Sequence, residues 1–186
     1  MMTEILWHGR GGQGAFTAAK ILGAAFSLHE NFALAFPSFG PERRGAPILA
    51  FTKLDSKAIG DRTQIKKADF VIFLDDTLFS LAAFEEIKDG GKIYVNTIKS
   101  ASEFAAGLEN VDAQKINGSI ISFNGNEIAR RILGAPLSNT AMLSLLAKKE
   151  NLVSQDDLKQ AIKLYMNPKV AEKNLPLVDE IFGGNV

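Results

Sequence analysis

Gly9-Arg10-Gly11-Gly12-Gln13-Gly14 stands between a short apolar run, Ile5-Leu6-Trp7, and an alanine-rich segment from Ala15 to Leu28. The order is strand, glycine loop, helix. Gly9, Gly11 and Gly14 have the G-x-G-x-x-G spacing. In that pattern one glycine permits the tight turn, one lets the backbone approach a ligand, and one lets helix and strand pack closely. The first N–H groups of the helix have no partner within it, so an anion is favoured in front of them. An ordinary NAD site also carries an Asp or Glu about 20 residues on, at the end of the second strand, to hold the ribose hydroxyls. The corresponding stretch, Phe32-Ala33-Leu34-Ala35-Phe36-Pro37-Ser38-Phe39, contains no acid.

That second strand, expected over about 32–36, runs into Phe36-Pro37-Ser38-Phe39-Gly40-Pro41-Glu42-Arg43-Arg44-Gly45-Ala46-Pro47. Three prolines and two glycines exclude a regular helix or a central strand here. The planar forks of Arg43 and Arg44 suit carboxylate or phosphate. A loop after strand two lies at the carboxyl end of the sheet, beside the glycine loop, where open α/β sheets bind ligands. Proline bracing lowers the entropy lost on binding. The competing reading is a solvated loop whose arginines pair with surface acids.

Elsewhere strands and helices alternate. Strands are expected over about 3–8, 48–52, 69–76 and 92–96, with a further one within 115–123. Helices are expected over about 14–28, 63–67, 77–86, 126–133, 139–149 and 156–165, with a weak one in 97–110 and a last segment, 169–181, kinked or interrupted at Pro176. Asp69-Phe70-Val71-Ile72-Phe73-Leu74-Asp75-Asp76 reads as a central buried strand, apolar and bounded by acids. Asp75, Asp76 or Thr77 is expected to cap the following helix, with ligand hydroxyls, Arg43 or Arg44 as the other partners of the two aspartates. Ser138 or Asn139 is expected to cap one helix and Ser154 another. Asp89-Gly90-Gly91 is expected to be a turn into a strand. This alternation predicts one α/β domain, residues 1–186, with a largely parallel sheet.

The 21 basic residues balance 21 acidic ones, which argues against bulk attraction to nucleic acid or a membrane surface. No apolar run reaches the roughly 18 residues of a membrane span. Met1-Met2-Thr3-Glu4 lacks the basic start of a secretory signal, so a cytoplasmic protein is expected. There is no cysteine, which excludes disulfides and cysteine-ligated iron–sulfur clusters within this chain. His8 and His29 fall in no metal-ligand spacing; His8 is expected as a strand-end residue and His29 near a helix C-terminus. There is no G-x-S-x-G elbow, no H-E-x-x-H and no Walker lysine. A backbone anion site, a rigid arginine loop and apolar surface suit a chain that binds a phosphate-bearing ligand or closes over a site on another chain.

The glycine motif Gly9–Gly14 and, more specifically, the stretch Phe36–Pro47 resemble the gamma subunit of 2-oxoacid:ferredoxin oxidoreductases, of the pyruvate:ferredoxin oxidoreductase type. The resemblance continues more weakly through Asp69–Asp76, Ser138-Asn139-Thr140-Ala141 and the Asn174-Leu175 region. It implies a Rossmann-like three-layer domain in a hetero-oligomeric enzyme. That enzyme would convert a 2-oxoacid, expected to be pyruvate, and coenzyme A to acyl-CoA and carbon dioxide, reducing ferredoxin. It implies that thiamine diphosphate, magnesium and iron–sulfur clusters reside on thiamine- and ferredoxin-type partner chains, with none bound by this chain alone. By motif match, Gly9, Arg10, Gly11, Gly12, Gln13 and Gly14 would face phosphate, and Arg43 and Arg44 would contact an anion or a subunit. Ser38 and Glu42, from the same loop, complete the candidate ligand- or coenzyme A-binding residues. Two alternatives stand beside this: a free-standing dinucleotide-binding oxidoreductase and a purely structural subunit. Whether the isolated chain forms a homodimer is left open.

Overall fold

The computed structural model describes residues 2–38, 44–106 and 119–184. Six strands form one sheet: β1 (Thr3–Arg10), β2 (Phe32–Pro37), β3 (Pro47–Asp55), β4 (Ala68–Phe73), β5 (Ile87–Asn96) and β6 (Ile120–Phe123). Their order is β2-β3-β1-β4-β5-β6. The pairings β1–β4, β4–β5 and β5–β6 are parallel, as expected. β3 differs: it lies between β1 and β2 and is antiparallel to both. The reason is length. Residues 38–46 are too few for the crossover of about a dozen residues that a parallel neighbour requires, so β3 returns directly beside β2.

Side chains alternate across the sheet. Ile5 and Trp7 enter one core, with Leu22, Ile72 and Tyr94. Leu6 enters the other, with Phe51, Val71 and Phe73. The buried indole of Trp7 donates to Thr52 Oγ1 at 3.1 Å, and that hydroxyl donates to the Ala19 carbonyl at 3.2 Å, so no polar group is stranded.

One face of the sheet carries α1 (Ala15–Phe26), α3 (Gly125–Leu133), α4 (Asn139–Lys149), α5 (Gln155–Tyr165) and α6 (Pro168–Gly183), all contributing to the first core. α4 is buried from Thr140 to Ala147, as a helix enclosed on all sides must be. A Cβ on Gly23 would lie 3.2 Å from Ala33 Cβ, so small residues let α1 lie close to β2. The other face is covered more thinly, by α2 (Ala101–Ala106) and two 3₁₀ turns, Asp76–Leu78 and Leu81–Phe84.

Several local expectations change. The helix expected over 77–86 is replaced by those two turns. Phe79 and Ser80 between them are extended, and this sets the Phe79 ring edge-on to Phe73, Phe84 and Phe104. No helix forms over 63–67; Ile65 is instead buried in the second core. Asp89-Gly90-Gly91 lies inside β5, beside a register shift against Ala68 and Phe70, and is not a turn before it. The C-terminal segment is one helix through Pro176, held by the buried residues Asn174, Leu177, Val178 and Ile181. The strand expected within 115–123 is β6; its earlier residues, with 107–110 of the weak helix, lie outside the described residues. No helix among the described residues is long and apolar enough to cross a membrane.

Candidate functional site

β1 ends at Arg10, the chain turns through Gly11–Gly14, and α1 begins at Ala15. From β1 the connection runs to β2 on one side of the sheet; from β4 it runs to β5 on the other. The carboxyl ends of β1 and β4 therefore flank the topological switch point, where open α/β sheets form their ligand crevice.

The glycines divide the work. A Cβ on Gly9 would lie 3.1 Å from Ala15 Cβ and 3.4 Å from Leu74 Cδ1, so Gly9 allows strand and helix to touch. Gly12 (φ +97°) and Gly14 (φ +80°) take the left-handed backbone of the turn. Gly11 is tied to the arginine loop: its N–H donates to the Ala46 carbonyl at 2.9 Å, and its carbonyl accepts from Gly45 N–H at 3.0 Å. This bridge holds Arg44 beside Gly11.

Arg10 and Gln13 turn inward and brace the loop. Arg10 Nε donates to Asp75 Oδ2 at 3.0 Å, Nη2 to Thr77 Oγ1 at 2.8 Å and Nη1 to the Gly45 carbonyl at 3.2 Å. Gln13 Oε1 accepts from Arg10 N–H at 2.7 Å, and its Nε2 donates to Asp75 Oδ2 at 3.0 Å. Asp75 also accepts from Thr77 N–H at 3.1 Å, the expected cap, here on a 3₁₀ turn. Partial burial raises the carboxyl's pKa, but the hydrogen bonds from Thr77, Gln13 and Arg10 outweigh it and hold the group below its ordinary value. Asp75 thus has Arg10 as its arginine. Asp76 accepts from Thr97 Oγ1 at 2.7 Å.

What the loop leaves open is the start of α1. Gly14 gives it no side-chain cap, and its first turn carries no acid. A hollow of about 580 Å³ lies there, lined by Gly11, Gly12, Gly14, Ala15, Phe16, Thr17, Arg44 and Ile48. Arg44 is the one charged side chain among these residues. An anion entering this hollow would meet the positive end of a helix and the charge of Arg44.

Ser38 continues the β2–β3 pairing: its N–H donates to the Leu49 carbonyl at 2.8 Å, and its Oγ accepts from Leu49 N–H at 3.3 Å. Glu42 and Arg43 lie outside the described residues. His8 stacks on Phe73 with centroids 4.2 Å apart, and its Nε2 lies 2.8 Å from Glu86 Oε2. His29 pairs with Asp157 at 2.9 Å. Among the described residues, no group of three or more His, Cys, Asp or Glu is placed to hold a metal ion.

Ser138 is the residue before α4, yet its hydroxyl makes no cap bond; it accepts from Asn96 Nδ2 at 2.9 Å. Asn139 Nδ2 reaches the Gly14 carbonyl at 3.5 Å. Thr17, which lines the hollow at the start of α1, carries no sequence signal beyond its place in the first turn of α1.

The family model for pyruvate ferredoxin/flavodoxin oxidoreductase matches residues 4–183. The pyruvate/ketoisovalerate oxidoreductases common subunit gamma of Thermococcus kodakarensis is 42% identical over 186 residues, spanning 100% of this chain and 98% of that protein. Pyruvate synthase subunit PorC of Methanocaldococcus jannaschii is 41% identical over 174 residues, 93% of this chain and 91% of that protein. The crystal structure of pyruvate oxidoreductase subunit PORC from Thermotoga maritima matches with a TM-score of 0.76 and 27% identity, over 98% of this chain and 96% of that one. A likeness of fold alone joins it to 2-oxoglutarate:ferredoxin oxidoreductase from Magnetococcus marinus, with a TM-score of 0.73 and 16% identity, over 98% of this chain and 30% of that one. Matched from residue 4 to residue 183, the chain belongs to the pyruvate ferredoxin/flavodoxin oxidoreductase family, as a gamma-type subunit.

Proposed function

We propose that this chain serves a cytoplasmic 2-oxoacid:ferredoxin oxidoreductase by holding coenzyme A at the glycine loop. The enzyme's reaction is the coenzyme A-dependent oxidative decarboxylation of pyruvate to acyl-CoA and carbon dioxide, with reduction of ferredoxin. The observation that carries this is the uncapped start of α1 opening into a hollow beside Arg44. Coenzyme A presents phosphates, and the N–H groups of the loop and of α1, with the Arg44 guanidinium, match them in charge and geometry. Arg10, Gln13 and Asp75 act one step back, fixing the loop so that its N–H groups are set before the ligand arrives.

Thiamine diphosphate with magnesium would supply carbanion stabilisation, and iron–sulfur clusters the electron path, from thiamine- and ferredoxin-type partner subunits. The chain's own composition agrees for the clusters, since a cluster needs thiolates and there is no cysteine here. A free-standing NAD enzyme is disfavoured because β2, the strand that follows α1, is separated from β1 by β3 and carries no acid within Phe32–Pro37.

The test is Arg44→Ala in the assembled complex, assayed by coenzyme A-dependent reduction of a viologen dye under anaerobic conditions. Loss of one partly solvated charge-assisted contact should raise the coenzyme A KM about tenfold with assembly intact. An unchanged KM would refute the binding role and leave a structural subunit. Running the same assay over a panel of 2-oxoacids identifies the substrate.

A further inference from the structure

β2 is one edge of the sheet, and among the described residues no strand lies beyond it. An open strand edge pairs with other chains unless charge, proline, a bulge, short length or a covering element prevents it. The opposite edge, β6, is only four residues long. β2 carries no charge and meets a proline only at its last residue, Pro37. Beside it runs a groove of about 360 Å³, lined on its helical side by Lys20, Gly23, Ala24, Ser27 and Tyr165. Phe32 is 45% exposed and Tyr165 54%, so large apolar side chains stand open beside the free edge.

The residues of this edge decide what fits it. Phe32-Ala33-Leu34-Ala35-Phe36 reads the same in both directions. Laid antiparallel on a second copy about a twofold axis through Leu34, it sets Phe32 opposite Phe36, Ala33 opposite Ala35 and Leu34 opposite Leu34, each pair on one face of the sheet. The aromatic pairs fall on the face where Phe36 stacks on Phe51, with centroids 5.0 Å apart. The alanines fall on the α1 face, where Gly23 stands over Ala33 and Ala35, and the small groove residues leave room for the α1 of the second copy. Charge agrees with this pairing. Lys20 lies about one helical turn from Gly23, toward the carboxyl end of β2, and the twofold brings to that end the Glu30 of the second copy, just before its own β2. Glu30 is exposed, Lys20 Nζ rests 4.8 Å from the centre of the Phe16 ring, and neither has an ion pair among the described residues. We infer that the edge of β2 is an isologous interface for a second copy of this chain, which continues the sheet from one copy into the other and forms two Lys20–Glu30 pairs.

The full-length chain is tested by sedimentation equilibrium and by cross-linking. Wild type should sediment at twice the chain mass. Leu34→Lys sets two like charges face to face on the axis and should give a monomer with unchanged circular dichroism. The chain has no cysteine, so Leu34→Cys carries a unique thiol. Residues directly opposite in an antiparallel pair have Cα atoms about 4.5–5.5 Å apart, within disulfide reach, so mild oxidation should link two copies. Phe32→Cys should not link, since its counterpart in the second copy is displaced by four strand positions, about 13 Å. Glu30→Lys should weaken the dimer about tenfold, because the axis counts each contact twice, and adding Lys20→Glu should restore it. If Leu34→Lys fails to fold, the cross-link and the charge reversal decide. A monomeric wild type, or a Leu34→Lys chain that still sediments as a dimer, overturns the interface. Linking at Phe32→Cys but not at Leu34→Cys overturns the pairing about Leu34. A monomeric wild type whose Leu34→Lys variant fails to join the assembled complex gives the edge to a partner subunit and refutes the second copy.

Discussion

Replacing Asp75 by alanine removes the group that ties the glycine loop to the end of β4. Asp75 accepts from Arg10 Nε, Gln13 Nε2, Thr77 N–H and Thr77 Oγ1. The charge-assisted bond to arginine contributes about 1.5–3 kcal/mol, and the cap on Thr77 and the bond from Gln13 about 1 kcal/mol each. The Arg10 and Asp75 side chains are 33% and 18% exposed, so water replaces part of this. The net loss should be about 3 kcal/mol, which for a chain of this length lowers Tm by about 6–12 °C. Asp75→Asn keeps the shape and loses only the charge, and should cost about 1–2 kcal/mol. The pH dependence has a definite sign. The folded-state pKa lies below the ordinary value of 3.8, so the contribution is full above that value and disappears as pH falls through the lowered folded value. Urea unfolding of wild type and Asp75→Ala at a series of pH values measures it: the gap between them should be constant near neutrality and close in acid. A gap under 1 kcal/mol at neutral pH, or one that persists in strong acid, refutes the bracing role.

Other substitutions separate local strain from packing. Gly12→Ala and Gly14→Ala each force a side chain into the left-handed region at about 1–2 kcal/mol. Gly14→Ala should cost more, because its Cβ would lie 2.5 Å from Asn139 Nδ2 whereas nothing lies within 4 Å at Gly12; equal urea midpoints would contradict this. Leu143→Ala in the enclosed α4 should lose about 2–5 kcal/mol in the same assay. Lys53 is 1% exposed and donates to Asp61 at 2.6 Å, the main cause of that carboxyl's lowered pKa. In Lys53→Met, an NMR titration should find Asp61 moved back toward its ordinary value; no movement would show that the Thr63 bonds suffice.

Local chemistry made much of the fold legible in advance. An apolar run, a glycine turn and an alanine-rich stretch specify β1, the loop and α1, because period, turn propensity and helix termini act within a few residues. The same holds for α4, found at 139–149 as expected, and for the Ser154 cap on α5. The motif Phe36–Pro47 carried the family resemblance, since residue identities survive without knowledge of their partners. Tertiary structure decided the rest. The sequence does not say that β3 slips antiparallel between β1 and β2, because strand order minimises the free energy of the whole sheet. Nor does it say that Arg10 is used by Asp75 while Arg44 faces the open helix terminus, since both are equally good anion ligands as residues. Pro176 reads as a kink or a break, and the burial of Leu177, Val178 and Ile181 keeps it inside one helix. Asn139 and Asn174 look like a cap and a helix residue until folding brings both to one hollow beside Gly14. Patterns within a few residues report local conformation, and the partners of a side chain are fixed only when distant elements pack.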